Sequence, residues 1–373
     1  MSHWRRDLPH GRAARHRWHV KALLVLSLLA GVATLINGSA SAKTTKRSHH
    51  AATVTITYAS YGGALQVAEE SAIIKPFEKL HPDIKVLYDP TISYSKLIAM
   101  VQSHNVTWDV VDIGNDFGLS PSDTKYLVKI DCKVVPCSAV QPNRYPTTGY
   151  RLNWSPSGEV LGYNTTKMPT GLVPTSWADF FDTAKFPGKR IAMPPETSSW
   201  TYEEALVASG IPRNQLYPLD LQRALNEWDK IKSDTTFTSN FQQCAESVAT
   251  GDAVMGMCWS GRFYDVKQHG APVAVTWNGE TLNGGYFAVP KGSKHVKEAM
   301  EFMAYAVAKK AQAAMSNAIP YGPANLAALP LIKPSIRPWL GVNHTNEAII
   351  INDRWWAKNR DHAVKVWKAW LTK

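Results

Sequence analysis

Leu161-Gly-Tyr-Asn-Thr-Thr-Lys-Met-Pro169, then Pro174-Thr-Ser-Trp-Ala-Asp-Phe-Phe181, then Phe186-Pro-Gly-Lys-Arg-Ile-Ala-Met-Pro-Pro195 is the stretch on which the rest of the chain is organised. An extended segment ending at Tyr163 runs into a loop of Pro, Gly and Thr. Ser176-Trp177-Ala178-Asp179 reads as a Ser-capped helical turn, and Arg190 to Met193 as a new strand. Chain order restarts here, and 373 residues are enough for two domains with ample core.

Upstream, Thr53 to Tyr58 alternates with period two, as a strand does. It ends at Ser60-Tyr61-Gly62-Gly63, where two glycines let the backbone turn into a helix beginning near Ala64. Leu65, Ala68, Ala72 and Ile73 give that helix one apolar stripe, and Pro76 and Pro82 bend and end it. The resulting β-α unit places its loop at the carboxyl end of the strand, where open α/β sheets bind ligands. Ile84 to Tyr88 and Val110 to Ile113 read as further strands, with a short helix over Ser93 to Val101. The turn Gly114-Asn115-Asp116-Phe117 then lies on the same edge as Ser60-Tyr61. Ordinary turn chemistry also accounts for Asn115 and Asp116.

Downstream, Glu196-Thr197-Ser198-Ser199-Trp200 is a polar loop entering a helix over Thr201 to Ser209. Its hydroxyls and N–H groups suit an anionic or neutral polar group, or simply cap the helix. Glu203 and Glu204 are adjacent, diverge around the helix and read as solvated. Asp220 to Lys232 and Phe241 to Thr250 are helices, and Ala253 to Cys258 is a strand leading to Trp259-Ser260-Gly261-Arg262. Ser293 caps one long helix carrying Val296, Met300, Met303, Val307, Ala311 and Ala314 on one face. Asp361 to Trp370 forms the last helix.

Several of these segments carry a resemblance, in matching order, that covers Thr53 to Lys373. The crossover quoted above, Thr107-Trp-Asp-Val-Val-Asp112, Gly251 to Gly261, Asn283-Gly-Gly-Tyr-Phe-Ala-Val-Pro290 and Ala318-Ile-Pro-Tyr-Gly-Pro-Ala-Asn325 resemble those of bacterial extracellular solute-binding proteins that feed ABC importers, in the subgroup containing the spermidine/putrescine binders. The resemblance implies an α/β, two-lobe periplasmic binding protein fold of type II, each lobe a mixed sheet flanked by helices. Hinge strands near Leu161 to Tyr163 and Leu282 to Tyr286 would join the lobes. Residues 53–161 with 284–327 make the first lobe, and residues 162–283 with 328–373 the second. The implied function is capture of a small polar solute between closing lobes and delivery to a membrane permease.

The implied ligand contacts are Ser60, Tyr61, Gly62, Asn115, Asp116, Thr197, Ser198, Trp200, Trp259, Arg262, Asn283, Gly285 and Tyr321, with the Trp259 face stacking on the ligand or on a cation. The family default is a polyamine. Polyamine binders offset buried ammonium groups with carboxylates and aromatic walls. Here the acid-bearing loop corresponds to Thr197 to Trp200, without acids, and the returning Trp and Asp to Asn283 and Gly285. A smaller polar solute, with or without an anionic group, matches the Ser/Thr/Asn/Gly character better.

Met1 to Lys21 is basic, Ala22 to Ile36 is weakly polar to apolar, and Ala40-Ser41-Ala42 is a small-x-small site. This reads as a secretory signal peptide over residues 1–42, followed by a disordered lead-in over 43–52 and export to the periplasm. Removing it takes six of 41 basic and one of 30 acidic side chains, leaving +6. No Lys/Arg block interleaved with aromatics suggests nucleic acid. In an oxidising compartment Cys132, Cys137, Cys244 and Cys258 favour disulfides; of three pairings, the local one, Cys132 with Cys137 and Cys244 with Cys258, is expected. The histidines lack metal-ligand spacing. No cofactor is implied, a monomer is expected, and an enzyme is not. The alternatives are a secreted enzyme working in the cleft, though no nucleophile elbow or zinc-protease motif occurs, or an iron(III)-binding relative, though no Tyr-Tyr pair exists.

Overall fold

The computed structural model describes residues 53–140, 149–197 and 199–373. The segment expected to be a signal peptide, the expected lead-in to Ala52, and Ser198 lie outside the described residues. The strands are β1 (Val54–Ala59), β2 (Ile84–Asp89), β3 (Val110–Ile113), β4 (Leu152–Asn164), β5 (Arg190–Ala192), β6 (Thr235–Phe237), β7 (Met255–Trp259), β8 (Val273–Ala288) and β9 (Ile349–Ile350). They pair in the order β2-β1-β3-β8-β4-β7-β5-β6, with β9 beside β8. At one end β1 runs parallel to β2 and β3. At the other, β5 runs parallel to β6 and β7.

The two ends share β4 and β8, which at 13 and 16 residues are the long strands of the sheet. They pair antiparallel from Leu152↔Phe287 to Asn164↔Val273, with register shifts at Asn153/Ser155 and Glu159/Leu161. Such bulges twist and bend a strand pair. They fall where the pair passes from β3 on one side to β7 on the other. The mixed α/β sheet flanked by helices has the two-lobe architecture implied by the sequence, with β4 and β8 as the joining strands.

Helices cover both ends of the sheet. The helix after β1 runs on from Ala64–Glu69 through a π turn, Glu70–Ile74, into Lys75–Leu80. Pro76 lies within it, its missing N–H falling just after the widened turn where the regular ladder is already interrupted, and the helix stops at Leu80, just before Pro82. The single long helix expected after Ser293 is two helices, Val296–Ala306 and Lys309–Ala318. Side chains take the carbonyls at the break: Gln312 donates to Ala306 O (3.0 Å) and Asn325 to Val307 O (2.9 Å). Ala328, Ile332, Ile336 and Leu340, allotted from sequence to the second lobe, cluster with Ala313 of the second of these helices. The last helix starts eight residues earlier than expected, at Asp353–Leu371, because Asn352 caps it by accepting from Trp355 N (3.0 Å). Trp356, Trp367 and Trp370 on that helix bury against Trp200, Tyr202, Trp228 and Phe237.

Glu203 and Glu204 are not solvated. Both are fully buried, because the helix Thr201–Ala208 is covered on all sides rather than on one stripe. Tyr217 and Trp356 donate to Glu203 (2.5 and 2.7 Å), and Thr281 to Glu204 (3.2 Å). Beside them Ser199 Oγ and Trp200 N donate to the buried Glu159 of β4. Burial pushes Glu203 up to about 7 and Glu159 up to about 8. Cys132 is bonded to Cys137 and Cys244 to Cys258. Among the described residues no helix is long and apolar enough to cross a membrane, and no cluster of three or more metal-ligating side chains occurs.

Candidate functional site

Strand ends and the β4–β8 pair converge on a small chamber of about 50 Å³, which adjoins a wider cleft of about 800 Å³. From the first lobe come Tyr61, Asp112 and Gly114. β4 and β8 contribute Ser155, Ser157, Asn283, Gly284 and Gly285. Thr197, Phe241, Trp259 and Arg262 close it from the second lobe, and Tyr321 from the turn after Lys309–Ala318. Three of its walls are aromatic. The Tyr61 ring lies edge-on to Phe241 at 5.1 Å, and Phe241 is 6.4 Å from Trp259.

Arg262 is the cation of this chamber. It is 1% exposed and enters no ion pair among the described residues. Nη2 donates to Tyr61 O (2.9 Å) and Nη1 to Gln242 Oε1 (3.4 Å), while Nε is buried without a partner. Gly63 makes this position possible: it sits at φ 65°, and a Cβ there would lie 2.9 Å from Arg262 Nη1. The guanidinium is hydrogen-bonded only to neutral acceptors, with the Glu69 carboxyl acting on it from beyond ion-pair distance, so its Nε–H remains available to an arriving anion.

Asp112 is the carboxyl group of this chamber. Trp154 Nε1 donates to its Oδ1 (3.1 Å) and Ser60 Oγ to its Oδ2 (3.4 Å). Ser60 also lies 3.2 Å from Glu69, which accepts from Tyr58 and Tyr88 at 2.6 Å each. Burial first, and then the charge of Glu69, pushes Asp112 well above the usual carboxylate range. Burial raises Glu69 to about 7. A cation arriving beside Asp112 would relieve that penalty.

The structure sorts the residues expected at the site. Tyr61, Thr197, Trp259, Arg262, Asn283, Gly285 and Tyr321 line the chamber, and Gly62 lines the wider cleft. Ser60 is fully buried behind the wall, bridging Asp112 and Glu69. Asn115 and Asp116 line neither space: Asn115 donates to Asp353 (2.6 Å), and Asp116 accepts from Arg360 (2.6 Å). Trp200 faces the core against Trp356, because the loop turns its Thr197 side, not its Trp side, to the cleft. Ser198 lies outside the described residues. Sequence reasoning missed Asp112, Ser155, Ser157 and Phe241. An acid inside the run Val110-Val111-Asp112-Ile113 and the alternating Asn153, Ser155, Ser157 of β4 were the signals available.

Residues 72–337 match the family model described as bacterial extracellular solute-binding protein. The gamma-aminobutyric acid-binding protein of Pseudomonas aeruginosa is 28% identical over 327 residues, 85% of this chain and 91% of that one. The spermidine/putrescine-binding periplasmic protein of Escherichia coli is 24% identical over 196 residues, 51% of this chain and 54% of that one. Among solved structures, the Atu4243-GABA receptor superposes with a TM-score of 0.77 at 35% identity, over 85% of this chain and 97% of that one. The binding protein AgtB of A. tumefaciens in complex with agropinic acid does so with a TM-score of 0.79 at 31% identity, over 86% and 99%. With this coverage, and a cleft formed where its two lobes meet, the chain belongs to the bacterial extracellular solute-binding protein family.

Proposed function

We propose that this protein captures a compact amino carboxylate of the gamma-aminobutyrate type in the periplasm and delivers it to an ABC permease, as a monomer whose lobes close on the ligand about β4 and β8. Arg262 takes the carboxylate. Asp112 and the faces of Trp259, Phe241 and Tyr61 take the ammonium group. Ser155, Ser157, Thr197 and Asn283 supply the remaining polar contacts.

The observation that carries this reading is the buried Arg262 with no carboxylate partner, lining the same chamber as Asp112. A polyamine brings only positive charge, and a desolvated guanidinium repels it. The names of the Pseudomonas relative and of the Atu4243 structure support the same ligand class. Binding rather than catalysis is supported by the family and by an arrangement in which charged groups receive opposite ends of a ligand.

Thermal unfolding against gamma-aminobutyrate, 5-aminovalerate, butyrate, putrescine and spermidine tests the proposal. A ligand at 100 times its dissociation constant adds about 2.7 kcal/mol. The expected shift comes with the amino carboxylates and not with the polyamines. A shift with the polyamines alone overturns it.

A further inference from the structure

The C-terminal helix Asp353–Leu371 belongs to the second lobe by its packing but holds the first lobe at two places. Trp356 and Trp367 are fully buried in the second lobe, and Tyr202 donates to Ala363 O (2.8 Å). At its first residue, Asp353 pairs with the buried Arg151 (2.8 Å), which also donates to Asn115 O and Phe117 O (2.8 Å each). Seven residues on, about 10 Å along the helix axis, Arg360 reaches back to the loop after β3. Its Nε is 2.6 Å from Asp116 Oδ2, and its guanidinium lies 4.9 Å from the Tyr94 ring centroid. Tyr94 also donates to Asp116 Oδ1 (2.9 Å). Arg360 Nη2 lies 3.5 Å from Glu196 O, on the turn Pro195–Thr197 whose Thr197 lines the chamber.

We infer that Arg360 and Asp116 form a clasp across the cleft mouth that holds the lobes shut, with Asp353 and Arg151 as its fixed root. The two pairs differ as a root and a clasp should. Arg151 is sealed in the interior, whereas the Arg360 side chain is 22% exposed and lines the wide cleft. Opening about β4 and β8 moves the far end of the helix most, so the pair two turns from the root parts first. The clasp closes over whatever occupies the chamber, and neither Arg360 nor Asp116 is part of the chamber's own lining. It therefore governs how long a ligand stays more than which ligand enters. The inference rests on lobe closure, the motion in the proposed function, but not on the identity of the solute.

The test needs no ligand. Spin labels at Leu87→Cys and Val173→Cys, exposed positions on the first and second lobes, report the interlobe distance by electron-electron resonance. In Arg360→Gln and in Asp116→Asn the distribution is expected to shift to longer distances. The double variant should be no more open than either single one, and Arg360→Lys should recover part of the closed population. Raising the salt from low to high ionic strength should act in the same direction. With gamma-aminobutyrate as the probe, the dissociation rate should rise about tenfold or more while the association rate changes little. Melting curves identify any variant that fails to fold, and Arg360→Lys then serves in its place. An unchanged distance distribution in Arg360→Gln, or additive opening in the double variant, overturns the clasp. Wild-type protein that ignores gamma-aminobutyrate while the labels still respond to Arg360→Gln overturns the ligand reading and leaves the clasp standing.

Discussion

Replacing Glu280 with Gln should stabilise the protein at neutral and alkaline pH and leave it nearly unchanged at pH 5. Glu280 lies on β8, fully buried, in a slot between two glycines: a Cβ at Gly158 would fall 1.7 Å from its Oε1, and one at Gly341 1.9 Å away. Neither carboxyl oxygen has a hydrogen-bond partner. Burial, with a smaller push from Glu347, raises its pKa from 4.5 to about 8. The folded chain thus keeps this proton up to about pH 8, while the unfolded chain releases it near 4.5. The folded state binds more protons in that window, so stability falls as pH rises through it. At pH 7 the gap of roughly 2.5 units, at 1.36 kcal/mol each, costs about 3 kcal/mol. Gln is neutral in both states and removes the pH-dependent part. Urea unfolding followed by tryptophan fluorescence from pH 5 to 9 should show wild-type and variant stabilities converging at the acid end and separating by roughly 3 kcal/mol at pH 7. A difference between them that does not change with pH would mean that Glu280 does not hold its proton in the folded state.

Other expectations follow from the same geometry. Replacing Cys244 and Cys258 with Ala opens a loop of 14-residue separation and should lower stability by about 3 kcal/mol, read as a shifted urea midpoint; an unchanged midpoint contradicts it. Trp259→Ala should weaken gamma-aminobutyrate binding on the order of 30-fold, a loss of about 2 kcal/mol for a desolvated cation–π contact, while Trp259→Phe keeps most of the affinity. Gly63→Ala forces a side chain onto a positive-φ, extended backbone (φ 65°, ψ −144°), costing about 1–3 kcal/mol, and pushes on the Arg262 guanidinium, so calorimetry should show affinity falling more than stability.

The β-α alternation and the strand ends could be read from sequence because period-two runs and glycine turns are local signals. Tyr61, Trp259, Arg262 and Tyr321 were reachable because they sit at strand ends and turns. Asp112 was not, since one acid inside a strand has the same local signature whether it faces a chamber or a neighbouring helix. Glu203 and Glu204 misled for a related reason. Adjacent charges on a short helix normally mean solvent, and only the distant Tyr217, Thr281 and Trp356 make burial of both possible. Asn115 and Asp116 had the right position but long-range partners, Asp353 and Arg360, more than 230 residues away. A pairing across that separation leaves no trace in the local pattern.

The most direct test of the central claim is a calorimetric comparison of gamma-aminobutyrate, butyrate and butylamine on wild-type protein, Arg262→Met and Asp112→Asn. Gamma-aminobutyrate should bind more tightly than either single-ended analogue. Arg262→Met should lose every carboxylate-bearing ligand, and Asp112→Asn should erase the preference for gamma-aminobutyrate over butyrate. Because Asp112 is held above the usual carboxylate range by burial, the affinity for the ammonium-bearing ligand should also rise with pH as that proton is given up. Unchanged gamma-aminobutyrate affinity in Arg262→Met, or tighter binding of butylamine than of gamma-aminobutyrate to the wild type, would contradict it.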